Sequence, residues 1–354
     1  MFLERDYRLW LSTVSSLGPL RARKLVEHFA SAENIYKASE KQLKDEGLNE
    51  KIVKIIRQSN RDISELKKIL NKKGVWFKVL GDEGMPEIFE HFDSLPFVIF
   101  GLGNESILNM EYSLSVVGSR RMTDYGQTQV KGMLGELLKD QRITVVSGMA
   151  RGIDSMAHWS AINASRTTIA VLGCGVDICY PAYNQVLYDK IINGGSVIIS
   201  EYFPGTSPIP GYFPARNRII AAITDATFVV EAGVNSGTLI TAREALNYGK
   251  NLGVLPGRVD MPNSLGALRL IKDGAEPILD TNDLRTLIGL SALDNRVVDL
   301  ESSIIFNTLD LGPKHFDEIA VLTELERSVL IIKINELVDD GRLSDMGAGY
   351  YSKI

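Results

Sequence analysis

Cysteine is scarce: Cys174 and Cys179 are the only two in 354 residues, too few for a disulfide framework or a four-ligand zinc site. Long apolar runs are missing as well. None reaches the roughly 18 residues of a membrane span, and the opening Met1, Phe2, Leu3, Glu4, Arg5, Asp6 is too charged for a signal peptide. There is no Walker lysine motif, which argues against an ATPase, and Gly173-Cys174-Gly175 lacks the third glycine of a dinucleotide fingerprint. Apolar content is not lacking. At 45% apolar, 23% charged and a net charge of −5, the chain is too hydrophobic for disorder, and its length suits two or three domains. We expect a soluble, cytoplasmic, multidomain protein with no membrane partner.

A net charge of −5 speaks against a uniformly basic nucleic-acid coat, but the average hides a patchwork. Residues 1–73 carry 16 Lys and Arg against 10 Asp and Glu, or +6; residues 74–114 carry 1 against 7, or −6. Residues 115–275 carry 15 against 12, or +3, and residues 276–354 carry 7 against 15, or −8. The acid is concentrated in a connecting stretch and in the tail.

Residues 1–73 read as a helical module. Leu9, Leu11, Leu17, Leu20, Leu25, Val26 and Phe29 fall at helical intervals, interrupted at Gly18-Pro19 in the manner of a helix-hairpin-helix or SAM-like domain. Either Arg21, Arg23 and Lys24 meet a nucleic-acid backbone, or the charges solvate a small adaptor; the plainer reading is favoured.

Residues 74–285 change pattern. Short apolar runs at 75–80, 97–100, 114–117, 144–146, 168–172, 196–199, 227–230 and 252–255 alternate with amphipathic stretches. That is the signature of an α/β fold with a mostly parallel, doubly covered sheet. Ligands of such sheets sit beyond the carboxyl ends of the strands, and the loops there are unusual. Gly118-Ser119-Arg120-Arg121, then Ser147-Gly148-Met149-Ala150-Arg151-Gly152-Ile153-Asp154, then Ser236-Gly237-Thr238 are small-residue turns opening helices. Exposed N–H groups and the positive dipole end at such turns bind anions, most plausibly phosphates. A fourth segment, Pro210-Gly211-Tyr212-Phe213-Pro214-Ala215-Arg216-Asn217-Arg218, puts two cations near a helix start, where the dipole disfavours them and an anion would answer them. Phe213 and Tyr212 offer flat surfaces for bases. The alternatives are that Phe213 plugs the core and Arg216 pairs with Glu201 or Glu231.

These segments, with Ala157-His158, Tyr180-Pro181, Ser200-Glu201-Tyr202 and Pro256-Gly257, follow one another as motifs of a known family do. The chain resembles the DNA-processing protein A (DprA/Smf) family, densely over about residues 75–280. The resemblance implies an extended Rossmann-like domain, without cofactor, that binds single-stranded DNA and loads the RecA recombinase onto it, protecting DNA in natural transformation and recombination. It also implies a homodimer through the central domain. The nucleic-acid-binding residues expected are Gly118, Ser119, Arg120, Arg121, Ser147, Gly148, Arg151, Gly152, Gly211, Phe213, Arg216, Asn217, Arg218, Ser236, Gly237 and Thr238. Two departures stand out: the family's usual Ser-Gly-Gly is Ser147-Gly148-Met149, and Pro210-Gly211 precedes the aromatic where relatives commonly have lysine or another polar residue.

The alternative is a related Rossmann-like phosphoribohydrolase acting on nucleoside monophosphates. There Thr241 stands where the catalytic glutamate should be, and Glu244, one turn on, cannot substitute, so no enzyme is expected. Asp154 and His158, four residues apart, could be an acid–base pair or metal ligands, but helix orientation and packing explain them better. Cys174 and Cys179 read as core or loop residues. Residues 300–354 read as a winged-helix-like domain whose recognition helix would hold Glu324, Glu326, Glu336, Asp339 and Asp340 against Arg327 and Lys333. Phosphate attraction would be reversed there, so a protein contact is expected.

Overall fold

The computed structural model describes residues 2–14, 17–59, 62–290, 300–309, 312–339 and 343–353. They fall into two units, Met1–Ser291 and Ala292–Ile354.

Six helices open the first unit: α1 (Glu4–Ser12), α2 (Gly18–Phe29), α3 (Ala32–Lys37), α4 (Glu40–Asp45), α5 (Glu50–Gln58) and α6 (Ile63–Lys72). The starts of α3 to α6 are written in the sequence. Ser31, Ser39, Asn49 and Asp62 each accept a backbone N–H three residues on, as capping residues do. Leu9, Trp10, Leu25, Ile35, Leu43, Ile56, Ile63 and Leu70 are buried in a core that continues into Val79, Val98 and Phe100 of the sheet. The expected boundary at 73/74 therefore runs through shared packing. Arg23 is buried and donates to the carbonyls of Phe89 (2.5 Å) and Leu95 (3.0 Å). Of the three cations considered for backbone contact, it is the one turned inward, where these carbonyls, with Asp93 at 4.0 Å, answer a guanidinium placed among apolar neighbours.

The eight expected strands all form: β1 (Trp76–Val79), β2 (Val98–Gly103), β3 (Tyr112–Val117), β4 (Ile143–Ser147), β5 (Thr168–Val171), β6 (Val197–Ser200), β7 (Ala226–Val229) and β8 (Asn251–Val254). A two-residue strand, β9 (Glu276–Pro277), adds a ninth. The sheet order is β1-β2-β6-β5-β4-β3-β7-β8-β9. All pairs from β6 to β9 are parallel, while β1 and β2 are antiparallel additions at one edge. This is an α/β, Rossmann-like sheet. The short helix α7 (Ile88–His91) lies between β1 and β2 in sequence.

The crossovers are α8 (Asp124–Leu137), α9 (Ile153–Asn163), α10 (Gln185–Asn193), α11 (Tyr212–Ala222), α12 (Thr238–Asn247) and α13 (Leu265–Lys272), followed by α14 (Thr281–Leu287). Side chains alternate across each strand. Val116 and Phe228 join Leu134, Ile153 and Leu284 of α8, α9 and α14. Val117 and Val229 join Ile220, Ala242 and Ala267 of α11, α12 and α13 on the other face. From β3 the chain winds outward through β4, β5 and β6, then returns to place β7 beside β3. The winding direction reverses between β3 and β7, and a crevice opens at their carboxyl ends.

The second unit contains α15 (Leu300–Thr308), β10 (Lys314–His315), α16 (Phe316–Thr323), α17 (Arg327–Asp339), β11 (Leu343–Asp345) and β12 (Tyr350–Lys353). Its strands form an antiparallel sheet of order β10-β12-β11 around Ile305, Ile319, Leu330, Ile334 and Leu343. Two acids expected in the last helix lie outside it. Glu324 is the left-handed C-cap of α16 (φ 56°) and Glu326 sits in the turn that follows. Asp340 falls outside the described residues. Among the described residues no helix is long and apolar enough to cross a membrane.

Candidate nucleic-acid interface

A cleft of about 700 Å³ lies at the β3/β7 switch point. Loops from four places meet there: Gly118, Ser119, Arg120 and Arg121 after β3; Phe213, Arg216 and Asn217 on α11; Ser236, Gly237 and Thr238 after β7; and Pro262 and Asn263 before α13. Ten of the sixteen expected residues therefore line one cavity.

Arg216 forms its floor. The side chain is 4% exposed, and Nη1 donates to the carbonyl of Gly148 at 2.6 Å and to that of Val171. Nε donates to the side-chain oxygen of Asn217 at 3.2 Å. No ion pair with Glu201 or Glu231 is made. The nearby acid is Asp154, also buried, which accepts the Ala150 N–H at 3.3 Å. Burial pushes the Asp154 carboxyl up, and the positive field of Arg216 opposes that rise. Arg120 and Arg121 are exposed at the rim, with no ion-pair partner among the described residues. Two open cations over a buried one give the cleft a positive field that water screens little at its base.

The expected role of the helix starts needs correction. The sequence leads one to expect three small-residue turns open to anions, but two are already answered from within the chain. At α8, buried Glu231 accepts the Thr123 N–H (3.1 Å) and the Thr123 hydroxyl, while that hydroxyl accepts the Gly126 N–H at 3.2 Å. At α9, the Ile153 N–H donates to the Ser119 carbonyl at 3.2 Å. This close approach requires Gly152, whose φ is +80° and where a Cβ would lie 2.2 Å from the Ser119 oxygen. The start of α12, beside Ser236 and Gly237, faces the cleft and carries no charged cap.

Six expected residues lie elsewhere. Ser147 is buried and donates to the Val116 carbonyl at 2.7 Å. Gly148 and Gly152 are packed spacers beneath the cleft, and Gly211 is exposed outside it. Arg151 lies over the ring of Tyr183 at 5.0 Å. Arg218 is committed to Glu201, with Nη1 and Nη2 donating to its two carboxylate oxygens at 2.8 and 2.6 Å, and Nε donating to the Ser94 carbonyl at 2.9 Å. It lines a separate cleft shared with Leu17, Gly18 and Phe97. The opposite-charge partner foreseen for Arg216 belongs to Arg218, two residues on and a different direction around the helix.

Other candidates resolve as packing. His158 is fully buried, its Nδ1 2.7 Å from the Thr168 hydroxyl. Burial pushes the Cys174 thiol up to about 11. Thr241 is 1% exposed on the cleft wall, and Asp154 is the one acidic side chain among the lining residues described. No group of His, Cys, Asp and Glu among the described residues is arranged to hold a metal. Sequence reasoning missed Pro262 and Asn263, which carry no pattern of their own and reach the site only through the fold; Asn263 donates to the Arg121 carbonyl at 3.2 Å.

The fold and cleft define a doubly wound α/β protein with a cationic crevice at its switch point. The chain belongs to the DNA recombination-mediator protein A family, whose model matches residues 76–289. Protein Smf of Synechocystis sp. is 37% identical over 292 residues, 81% of this chain and 73% of that one. DNA processing protein DprA of Streptococcus pneumoniae is 36% identical over 208 residues, 59% of this chain and 72% of its own length. The solved structure of DNA processing protein A from S. pneumoniae superposes with a TM-score of 0.69 at 30% identity, covering 80% of this chain and 98% of that one. The Helicobacter pylori protein, whose structure addresses its single-stranded DNA binding mode, gives 0.53 at 30% identity, covering 60% and 96%.

Proposed function

We propose that this chain is a non-enzymatic single-stranded DNA-binding protein that protects DNA and loads the RecA recombinase onto it, in natural transformation and recombination. The observation that carries the reading is the arginine set of the cleft: Arg120 and Arg121 at the rim above buried Arg216. Phosphates neutralise the rim cations, Asn217, Ser236, Gly237 and Thr238 supply polar contacts, and Phe213 takes a base face. The single-stranded DNA binding of the H. pylori relative supports the choice of ligand.

Few groups here could read base edges, so sequence preference is weak and salt dependence steep. A homodimer through the central domain presents two clefts and raises affinity by effective concentration. The C-terminal unit is read as a winged helix with an acidic surface that meets protein rather than phosphate. The test is a gel-shift titration with single- and double-stranded oligonucleotides of matched length across a salt series. Strong single-strand preference with a steep salt slope is expected; equal affinity for duplex would refute the reading.

A further inference from the structure

Tyr180-Pro181 and Arg151 stand out in the sequence yet line no part of the cleft. The structure brings them to one place beside it. Tyr180 stacks on Phe213, ring centroids 5.1 Å apart and planes 25° from parallel. The aromatic wall of the cleft thus continues outward onto a ring that is 45% exposed. Three residues on, Tyr183 is 77% exposed, with the Arg151 guanidinium over its face. The segment is anchored rather than loose. Asn184, 4% exposed, donates its Nδ2 to the Met149 carbonyl at 2.8 Å and lies 2.9 Å from the Ser155 hydroxyl. Tyr180–Asn184 is thereby tied to the loop that follows β4.

We infer that Tyr180 and Tyr183 form the outer part of a stacking track, taking bases of the same single strand whose phosphates occupy the cleft. The inference rests on the proposed DNA-binding reading and extends it. Continuity argues for this occupant, because Phe213 belongs to both surfaces. Charge argues for it too: exposed Arg151, over the Tyr183 ring, sets a cation beside the rings to meet a phosphate of that strand. Tyr180 is held by its stack on Phe213 and Tyr183 by its contact with Arg151, and both keep exposed ring surface, so stacking a base on them costs less ordering entropy than on free rings. The track adds affinity with length and no base preference, since every base has a stacking face.

Anisotropy titrations with a short oligothymidylate that fills the cleft and a longer one that overruns it test the track. Tyr183→Ala reduces the affinity gained from short to long by between about five- and 140-fold, and Tyr183→Phe retains that gain. Abasic sites in the overrunning part weaken wild-type binding similarly and add little to Tyr183→Ala. If wild type and Tyr183→Ala both bind tightly and gain equally with length, the track is overturned and the cleft reading stands. If wild type binds neither strand, both fail. A changed sedimentation mass for Tyr183→Ala with the length gain intact would assign these rings to contact between copies and overturn the inference.

Discussion

Arg216 and Gly148 occupy each other's space: Nη1 of the arginine donates to the glycine carbonyl at 2.6 Å, and a Cβ on the glycine would lie 2.4 Å from that same nitrogen. The glycine is therefore the clearance for the buried cation under the cleft. The arginine cannot swing away, because Val171 holds Nη1 as well. Gly148→Ala is expected to destabilise the fold by about 1–3 kcal/mol, as overpacking does, and to weaken single-strand binding by displacing the floor. Urea unfolding and anisotropy measure the two effects. Unchanged stability and binding would show that the guanidinium has room the geometry denies it.

Arginines of this region divide by partner. Arg218 is bidentate to Glu201, with side chains 13% and 10% exposed, so Arg218→Ala leaves a carboxylate shielded from water without its cation. A loss of about 3–5 kcal/mol of stability is expected, with little change in the salt slope of DNA binding. Arg120→Ala and Arg121→Ala are expected to do the reverse. Each removes about one phosphate contact, lowering the slope of log K against log salt by roughly 0.7 for single strands, and leaves thermal stability within about 0.5 kcal/mol. A flattened salt slope for Arg218→Ala would refute this division.

The layers of the fold were legible because each rests on local pattern. Apolar runs such as 114–117 and 227–230 give the strands of the switch point, whereas Ser147, Gly148 and Gly152, expected at the nucleic acid, are packed beneath the cleft. Their role was misplaced, since burial is set by neighbours distant in sequence. Nothing local to Arg218 says that Glu201 will face it, nor does Gly152 announce that the Ser119 carbonyl needs its missing Cβ. Two of the three helix starts expected to be open are closed for the same reason: Glu231, 108 residues from Thr123, closes α8 from across the switch point, and the Ser119 carbonyl meets α9, while α12 still faces the cleft.

Met149 has a φ of +56°, a left-handed conformation that suits glycine and costs a side-chain-bearing residue about 1–2 kcal/mol. Yet the side chain is fully buried in the core shared with Leu172 and Leu187. Burying a methionine is worth more than the strain, about 2–5 kcal/mol on truncation. Met149→Gly is therefore expected to destabilise by about 1–3 kcal/mol despite relieving the backbone. A higher melting temperature for the variant would mean that strain outweighs packing.

His158 makes folding stability depend on pH. The Thr168 hydroxyl donates to the Val145 carbonyl at 2.7 Å, so it accepts from Nδ1–H of the histidine, leaving buried Nε2 without a partner among the described residues. A proton added at Nε2 would find no acceptor among the described residues. Burial, with the charge of Arg216 adding to it, holds the ring's pKa down at about 3. The unfolded chain binds this proton near pH 6.5, so between about pH 6.5 and 3 the unfolded state holds more protons than the folded one. Stability is full above that window and falls as pH drops through it. The single group predicts a loss of about 2 kcal/mol between pH 7 and pH 5. His158→Leu fills similar volume and does not titrate, so its unfolding free energy, followed by urea denaturation, is expected to change less over the same range. Parallel profiles for variant and wild type would place the proton elsewhere.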